Sequence, residues 1–196
     1  MKDERTDLRR DLRASRRAIP ASERMAAAES LARQLLALPF APRSGAVAGY
    51  WAMDGEIALH AWQVQLPPGL TYCLPVLHDE TGLRFAPWRA GAALITNRFG
   101  IPEPDVSVSD LLDPAAMTLV VVPLVGYDNS GHRLGMGGGW YDRTFFFRKT
   151  QPAPPYLVGA AFSVQQLEQL PAQPWDVRLD AICTEHLSLI IDEPKP

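Results

Sequence analysis

Residues 118–125 read TLVVVPLV, and this run constrains the fold more than any other stretch. It is β-branched and apolar at successive positions. A strand built from it must be covered on both faces, as in the interior of a parallel sheet. The surrounding pattern fits that requirement. Residues 46–52 (AVAGYWA), 71–77 (TYCLPVL), 83–88 (LRFAPW), 155–162 (PYLVGAAF) and 181–191 (AICTEHLSLII) read as further strands. Helices are expected over 56–66 (EIALHAWQVQL) and 164–170 (VQQLEQL). Two more precede them: a charged helix through about Arg17, broken at Pro20, and a second starting with Ser22 as its N-cap. Residues 89–114, studded with proline, read as loop.

Strands alternating with helices predict an α/β protein. The expectation is a single three-layer domain over residues 1–196, Rossmann-like, with a mostly parallel central sheet. A formal charge of −3 argues against a dedicated nucleic-acid binder. No apolar stretch approaches the length that spans a bilayer, so no membrane partner is expected. The first seventeen residues hold no hydrophobic segment, and Asp3, Glu4, Asp7 and Asp11 are too acidic for a transit peptide. A cytoplasmic monomer is the expectation. Cys73 and Cys183 fall in separate apolar runs and read as buried thiols rather than a disulfide or metal pair.

The chemistry is concentrated in residues 131–145, GHRLGMGGGWYDRTF. Gly135, Gly137, Gly138 and Gly139 would let backbone N–H groups approach an anion with no Cβ in the way. The spacing matches neither of the common nucleotide-binding glycine patterns. Residues alone therefore leave a phosphate cradle and a structural turn equally open. Arg133 offers a planar fork for phosphate or carboxylate. Asp142, in the first turn of an expected helix, could cap that helix or hold Mg2+. Trp140 and Tyr141 could stack on a flat ligand or belong to the core. Arg5, Arg9 and Arg13 recur every four residues and share a helix face, which on pattern alone reads as a solvated stripe balanced by Asp3, Asp7 and Asp11.

RLGMGGGWYDR (133–143) resembles the RLGxGxGYYDR signature of the 5-formyltetrahydrofolate cyclo-ligase family. GYWAMDGEI (49–57), YCLPVL (72–77), RFGIPEP (98–104), VVVPLVGYDNSGHRLG (120–135) and VGAAFSVQQLEQLPAQPWDVRLDAICTE (158–185) match further blocks in the family's order. The resemblance implies ATP-driven, Mg2+-requiring cyclisation of 5-formyltetrahydrofolate to 5,10-methenyltetrahydrofolate. It implies ATP contacts from Arg5, Arg9, Arg133, Leu134, Gly135, Met136, Gly137, Gly138, Gly139, Trp140 and Tyr141. Folate contacts are implied for Met53, Glu56, Gly137 and Trp140, catalytic roles for Arg133 and Tyr141, and Mg2+ ligation by Asp142 and Asp176. Arg5 stands where the family has lysine, a role open to Lys2 as well. Trp140 replaces a tyrosine, and Trp175 stands before Asp176 where relatives have His or Asn. The resemblance identifies no general base. An enzyme acting on another formamide or carboxylate, or a binding protein without turnover, would carry many of the same residues.

Overall fold

The computed structural model describes residues 4–79 and 82–191, so Lys2 lies outside the described residues. Two helices open the chain, α1 (Glu4–Ala18) and α2 (Ala21–Leu36). The strands and helix that follow are β1 (Gly45–Ala48), α3 (His60–Gln65), β2 (Leu70–Leu77) and β3 (Leu83–Pro87). Next come the ribbon β4 (Leu94–Thr96) with β5 (Pro102–Pro104), the long β6 (Met117–Pro123) and the hairpin β7 (Gly126–Tyr127) with β8 (Arg133–Leu134). The chain closes with α4 (Trp140–Thr144), β9 (Tyr156–Ala160), β10 (Ala181–Cys183) and β11 (Ser188–Ile190).

Seven strands form the main sheet in the order β11-β10-β9-β6-β1-β2-β3. The five inner strands pair in parallel, while β3 and β11 close the two edges antiparallel. The sheet is thus mostly parallel, as expected, and β6 lies at its centre. Successive side chains of a strand point to opposite faces. Leu119 and Val121 join the cluster formed with Leu31, Leu35 and Trp62, from α2 and α3. Val120 and Val122 join the other cluster, with Phe85, Phe145, Val177 and Leu179. The first face is roofed by helices. The second is roofed by α4 and by extended chain around residue 177. Cys73 and Cys183 are free and buried, and burial pushes their thiols up to about 12 and about 11.

Several elements differ from the sequence expectation. Helix α2 starts at Ala21 with Pro20 at the N-cap position, so Ser22 lies inside the helix rather than capping it. Proline's fixed φ and missing N–H suit a helix start. The first strand stops at Ala48, after which Gly49 N–H donates to Cys73 O before the chain turns toward the cavity. The helix expected over 56–66 shortens to α3, because residues 53–56 form a turn instead. Residues 164–170 are not an α-helix. Only Ser163–Gln165 makes one 3-10 turn, and the Gln165 side chain is drawn inward, donating to Leu124 O at 3.1 Å and Val125 O at 2.9 Å. Those buried carbonyls need partners, and satisfying them outweighs local helix propensity. Residues 89–114 hold the β4–β5 ribbon within the expected loop.

Candidate active site

The glycine segment joins β8 to α4. Gly137 and Gly139 take positive φ values of 103° and 64°, which L side chains rarely adopt. A Cβ on Gly135 would meet nothing within 4 Å, so the chain is open to a ligand there. Gly139 occupies the N-cap position of α4, and the Asp142 carboxylate caps no N–H of that helix. It turns instead to the neighbouring chain: Arg133 Nη2 donates to Asp142 Oδ1 at 2.7 Å, and Val177 N–H donates to the same oxygen at 3.0 Å. Arg133 Nη1 donates to Val177 O at 2.6 Å, which closes the triangle. Arg133 is 6% exposed, so this ion pair sits in low dielectric and holds the loop base rigid.

A cavity of about 480 Å³ lies beside this loop, within the size range of small-ligand pockets. Its lining includes Met53 and Glu56, and also Arg133, Gly135, Met136, Gly138, Gly139, Trp140, Tyr141 and Asp142. The residues expected at the folate side and at the phosphate side therefore meet in one cavity. Gly137 and Leu134 are not among the lining residues. Leu134 is buried against Leu12, Val125 and Leu170, so its side chain is core. Gly137 faces outward instead, with its Cβ direction 3.7 Å from the Arg9 guanidinium carbon.

Helix α1 brings Arg9 to the loop and Arg5 to Asp176. Arg9 Nε donates to Gly135 O at 2.8 Å, and Arg5 Nη1 pairs with Asp176 Oδ2 at 3.0 Å. The stripe of arginines is thus docked on the protein rather than solvated. Asp176 also accepts from Gln173 N–H at 2.9 Å. It lines a second, more polar cavity of about 520 Å³ together with His132, Arg148, Lys149 and Arg178. Asp142 lines the first cavity and Asp176 the second. Trp175 beside Asp176 is 60% exposed.

Glu56 stands at the other wall. Its Oε2 accepts from Met53 N–H at 2.9 Å, while Glu56 N–H donates to Met53 O at 2.9 Å, so the turn is closed twice. Burial raises the Glu56 pKa, and Asp54 adds to the rise, against the Met53 hydrogen bond and the charge of Arg16. Tyr141 is likewise pushed far up, by burial and then by Glu56, so its phenol stays neutral and can donate a hydrogen bond. Trp140 is held between two guanidinium groups, Arg143 at 4.8 Å and Arg98 at 5.5 Å, with Phe99 edge-on at 5.8 Å. Met53, Phe99 and Trp140 give the cavity its apolar wall.

A family model for the 5-formyltetrahydrofolate cyclo-ligase family matches residues 1–185. The chain belongs to that family. It is 35% identical over 179 residues to the 5-formyltetrahydrofolate cyclo-ligase of Escherichia coli K12, covering 88% of this chain and 96% of that one. It is 35% identical over 178 residues to the enzyme of that name from Haemophilus influenzae, covering 89% and 94%. The solution structure of Aquifex aeolicus 5,10-methenyltetrahydrofolate synthetase superimposes with a TM-score of 0.82 at 28% identity, covering 98% of this chain and 95% of that one.

Sequence reasoning missed Asp54 and Arg16. Asp54 lines the cavity and accepts from Arg13, Arg16 and Arg17, and Arg16 is wholly buried. Two signals could have found them. The arginine stripe continues past Arg13, and the Asp54–Gly55 dipeptide marks a turn.

Proposed function

We propose that this chain closes 5-formyltetrahydrofolate to 5,10-methenyltetrahydrofolate with ATP, releasing ADP and phosphate. The observation that carries this reading is the single cavity walled by Met53 and Glu56 as well as by Gly135, Gly138 and Gly139. A formamide carbonyl is a poor electrophile with a poor leaving group, so its oxygen must be activated next to the folate. In the proposed reaction that oxygen attacks the γ-phosphorus and the bond to ADP breaks. N10 then attacks the formyl carbon, the carbon–oxygen bond breaks, phosphate leaves, and N10 gives up its proton.

Each residue has a part in this scheme. Ionised Glu56 accepts two parallel hydrogen bonds from the N–C–N edge of the pterin, with Met53 and Trp140 as apolar walls. The N–H groups of residues 135–139 approach the phosphates, and Arg5 and Arg9 offset their charge from α1. Neutral Tyr141 donates toward oxygen in the cavity, and Arg133 fixes Asp142 while adding positive potential to the same wall. Such phosphoryl transfer needs positioning and charge neutralisation above all.

The residues present suit Mg2+. Asp142 and Asp176 are hard oxygen donors, each with one carboxylate oxygen given no protein hydrogen bond among the described residues, but they line different cavities, so a shared ion requires one of them to move to the other's side. When bound, Mg2+ supplies charge neutralisation at the phosphate oxygens. The test is a spectrophotometric assay of purified protein with 5-formyltetrahydrofolate, ATP and Mg2+. Near-ultraviolet absorbance of the methenyl product should rise only when ATP is present. Folate binding without that rise would favour a binding protein.

A further inference from the structure

We propose that Asp54 and Arg16 are positioning residues for Glu56, and that through them α1 couples nucleotide occupancy to alignment of the folate wall. This inference rests on the functional reading above. It begins with what α1 touches at its two ends. Near its N-terminus, Arg5 holds Asp176 and Arg9 holds Gly135 O. Near its C-terminus, Arg13 Nε donates to Asp54 Oδ2 at 2.6 Å, and Arg17 pairs with Asp54 Oδ1. A helix rises about 1.5 Å per residue, so Arg5 and Arg17 stand about 18 Å apart along one rigid rod.

Arg16 is the centre of the second contact. Its Nε and Nη2 donate to Asp54 O at 3.1 and 2.9 Å, Nη2 reaches Asp54 Oδ2 at 3.0 Å, and Nη1 donates to Leu124 O at 3.2 Å. Its Nη1 also lies 3.9 Å from Glu56 Oε1. Asp54 itself has φ of 53°, a left-handed conformation in which Asp and Asn are the favoured non-glycine residues. The turn that α1 grips is therefore the turn that presents Met53 and Glu56 to the cavity.

The coupling follows from shared groups. Nucleotide phosphates entering beside Gly135 offer Arg5 and Arg9 new acceptors in competition with Asp176 and Gly135 O. Any shift of α1 toward the phosphates is transmitted to Asp54, because the other end of the rod is bonded there. A ligand can shift an equilibrium only by binding the two states differently, and Arg5 and Arg9 supply that difference.

The test is calorimetric titration of 5-formyltetrahydrofolate into wild type, Asp54→Asn and Arg13→Gln/Arg17→Gln, each with and without ADP and Mg2+. Asparagine keeps the left-handed turn but removes the charge and replaces one arginine-facing acceptor oxygen by an NH2 donor, while Arg13 and Arg17 are accessible enough to replace without opening the core. The ratio of the two folate affinities should be about fivefold or more in wild type. It should fall to within about twofold of unity in both variants, with ADP affinity alone unchanged and the folate KM rising more than kcat falls. A ratio near unity in wild type, or one retained in either folded variant, would overturn the proposal. Wild-type turnover is scored separately: its absence defeats the functional reading, and turnover with retained coupling defeats only this inference.

Discussion

Replacing Asp142 by alanine separates the structural duty of that carboxylate from its proposed duty toward Mg2+. Alanine deletes the acceptor of the Arg133 and Val177 hydrogen bonds and leaves Arg133, 6% exposed, without its counter-charge. Removing one partner of a buried ion pair costs about 3–5 kcal/mol. The Asp142 side chain keeps 21% exposure, so water recovers part of the loss and the expected cost is at the low end, about 3 kcal/mol. Each kcal/mol lowers Tm by about 2–4 °C in a chain of this size, which gives a drop of about 6–12 °C. Asparagine keeps an oxygen at the same place and forfeits only the charge, about 1 kcal/mol. Thermal and urea unfolding of both variants measures these losses. With ADP present, Mg2+ should raise the Tm of wild type, and Asp142→Asn should lose that increment even though its own fold is nearly intact. An Asp142→Ala protein within 1 kcal/mol of wild type would refute the buried-pair argument. An undiminished Mg2+ increment in Asp142→Asn would remove Asp142 from the metal site.

Burial raises the Glu56 pKa above its ordinary value of 4.5, and only the ionised form accepts both pterin hydrogen bonds. The folate KM should therefore rise as pH falls through that raised value, a limb that Glu56→Gln flattens. Because burial disfavours the charge, Glu56 weakens the fold as pH rises past the unfolded pKa, so Glu56→Gln should melt no lower than wild type at pH 7. Asp54 behaves oppositely. Burial works to raise its pKa, but the Arg13, Arg17 and Arg16 interactions outweigh it, so its stabilisation is present at neutral pH and lost as pH falls through the lowered value. Gly135→Ala, whose Cβ meets nothing within 4 Å, should fold normally and weaken ATP binding. Gly137→Val should cost about 1–2 kcal/mol of stability at φ 103° as well, read by urea unfolding. Trp140→Ala forfeits contacts with Arg98 and Arg143, worth about 0.5–1 kcal/mol each at such a site, and should raise the folate KM.

The central sheet was legible because its pattern is local. In residues 118–125 consecutive apolar side chains demanded two covered faces, and Val120 and Val121 do point into different clusters. Residues 164–170 were not legible, since the Gln165 side chain answers two carbonyls some forty residues away. The glycine segment and Glu56 could be read from motif blocks, and the structure unites them in one cavity. Arg16 could not be read that way. The stripe continues past Arg13, but among the six arginines of α1 the sequence does not single out the one that Asp54, distant in sequence and left-handed in backbone, draws into the interior. Asp176 and Asp142 were paired by resemblance, whereas the structure shows what positions each: Arg5 for one, Arg133 for the other.

The reaction itself is the most direct test. Purified protein mixed with 5-formyltetrahydrofolate, ATP and Mg2+ should develop methenyltetrahydrofolate absorbance, with one ADP released per product formed and no signal when ATP is omitted. Product forming equally well without ATP, or folate bound with no product at all, would contradict an active site in which the glycine segment delivers a phosphoryl group to the folate held by Glu56.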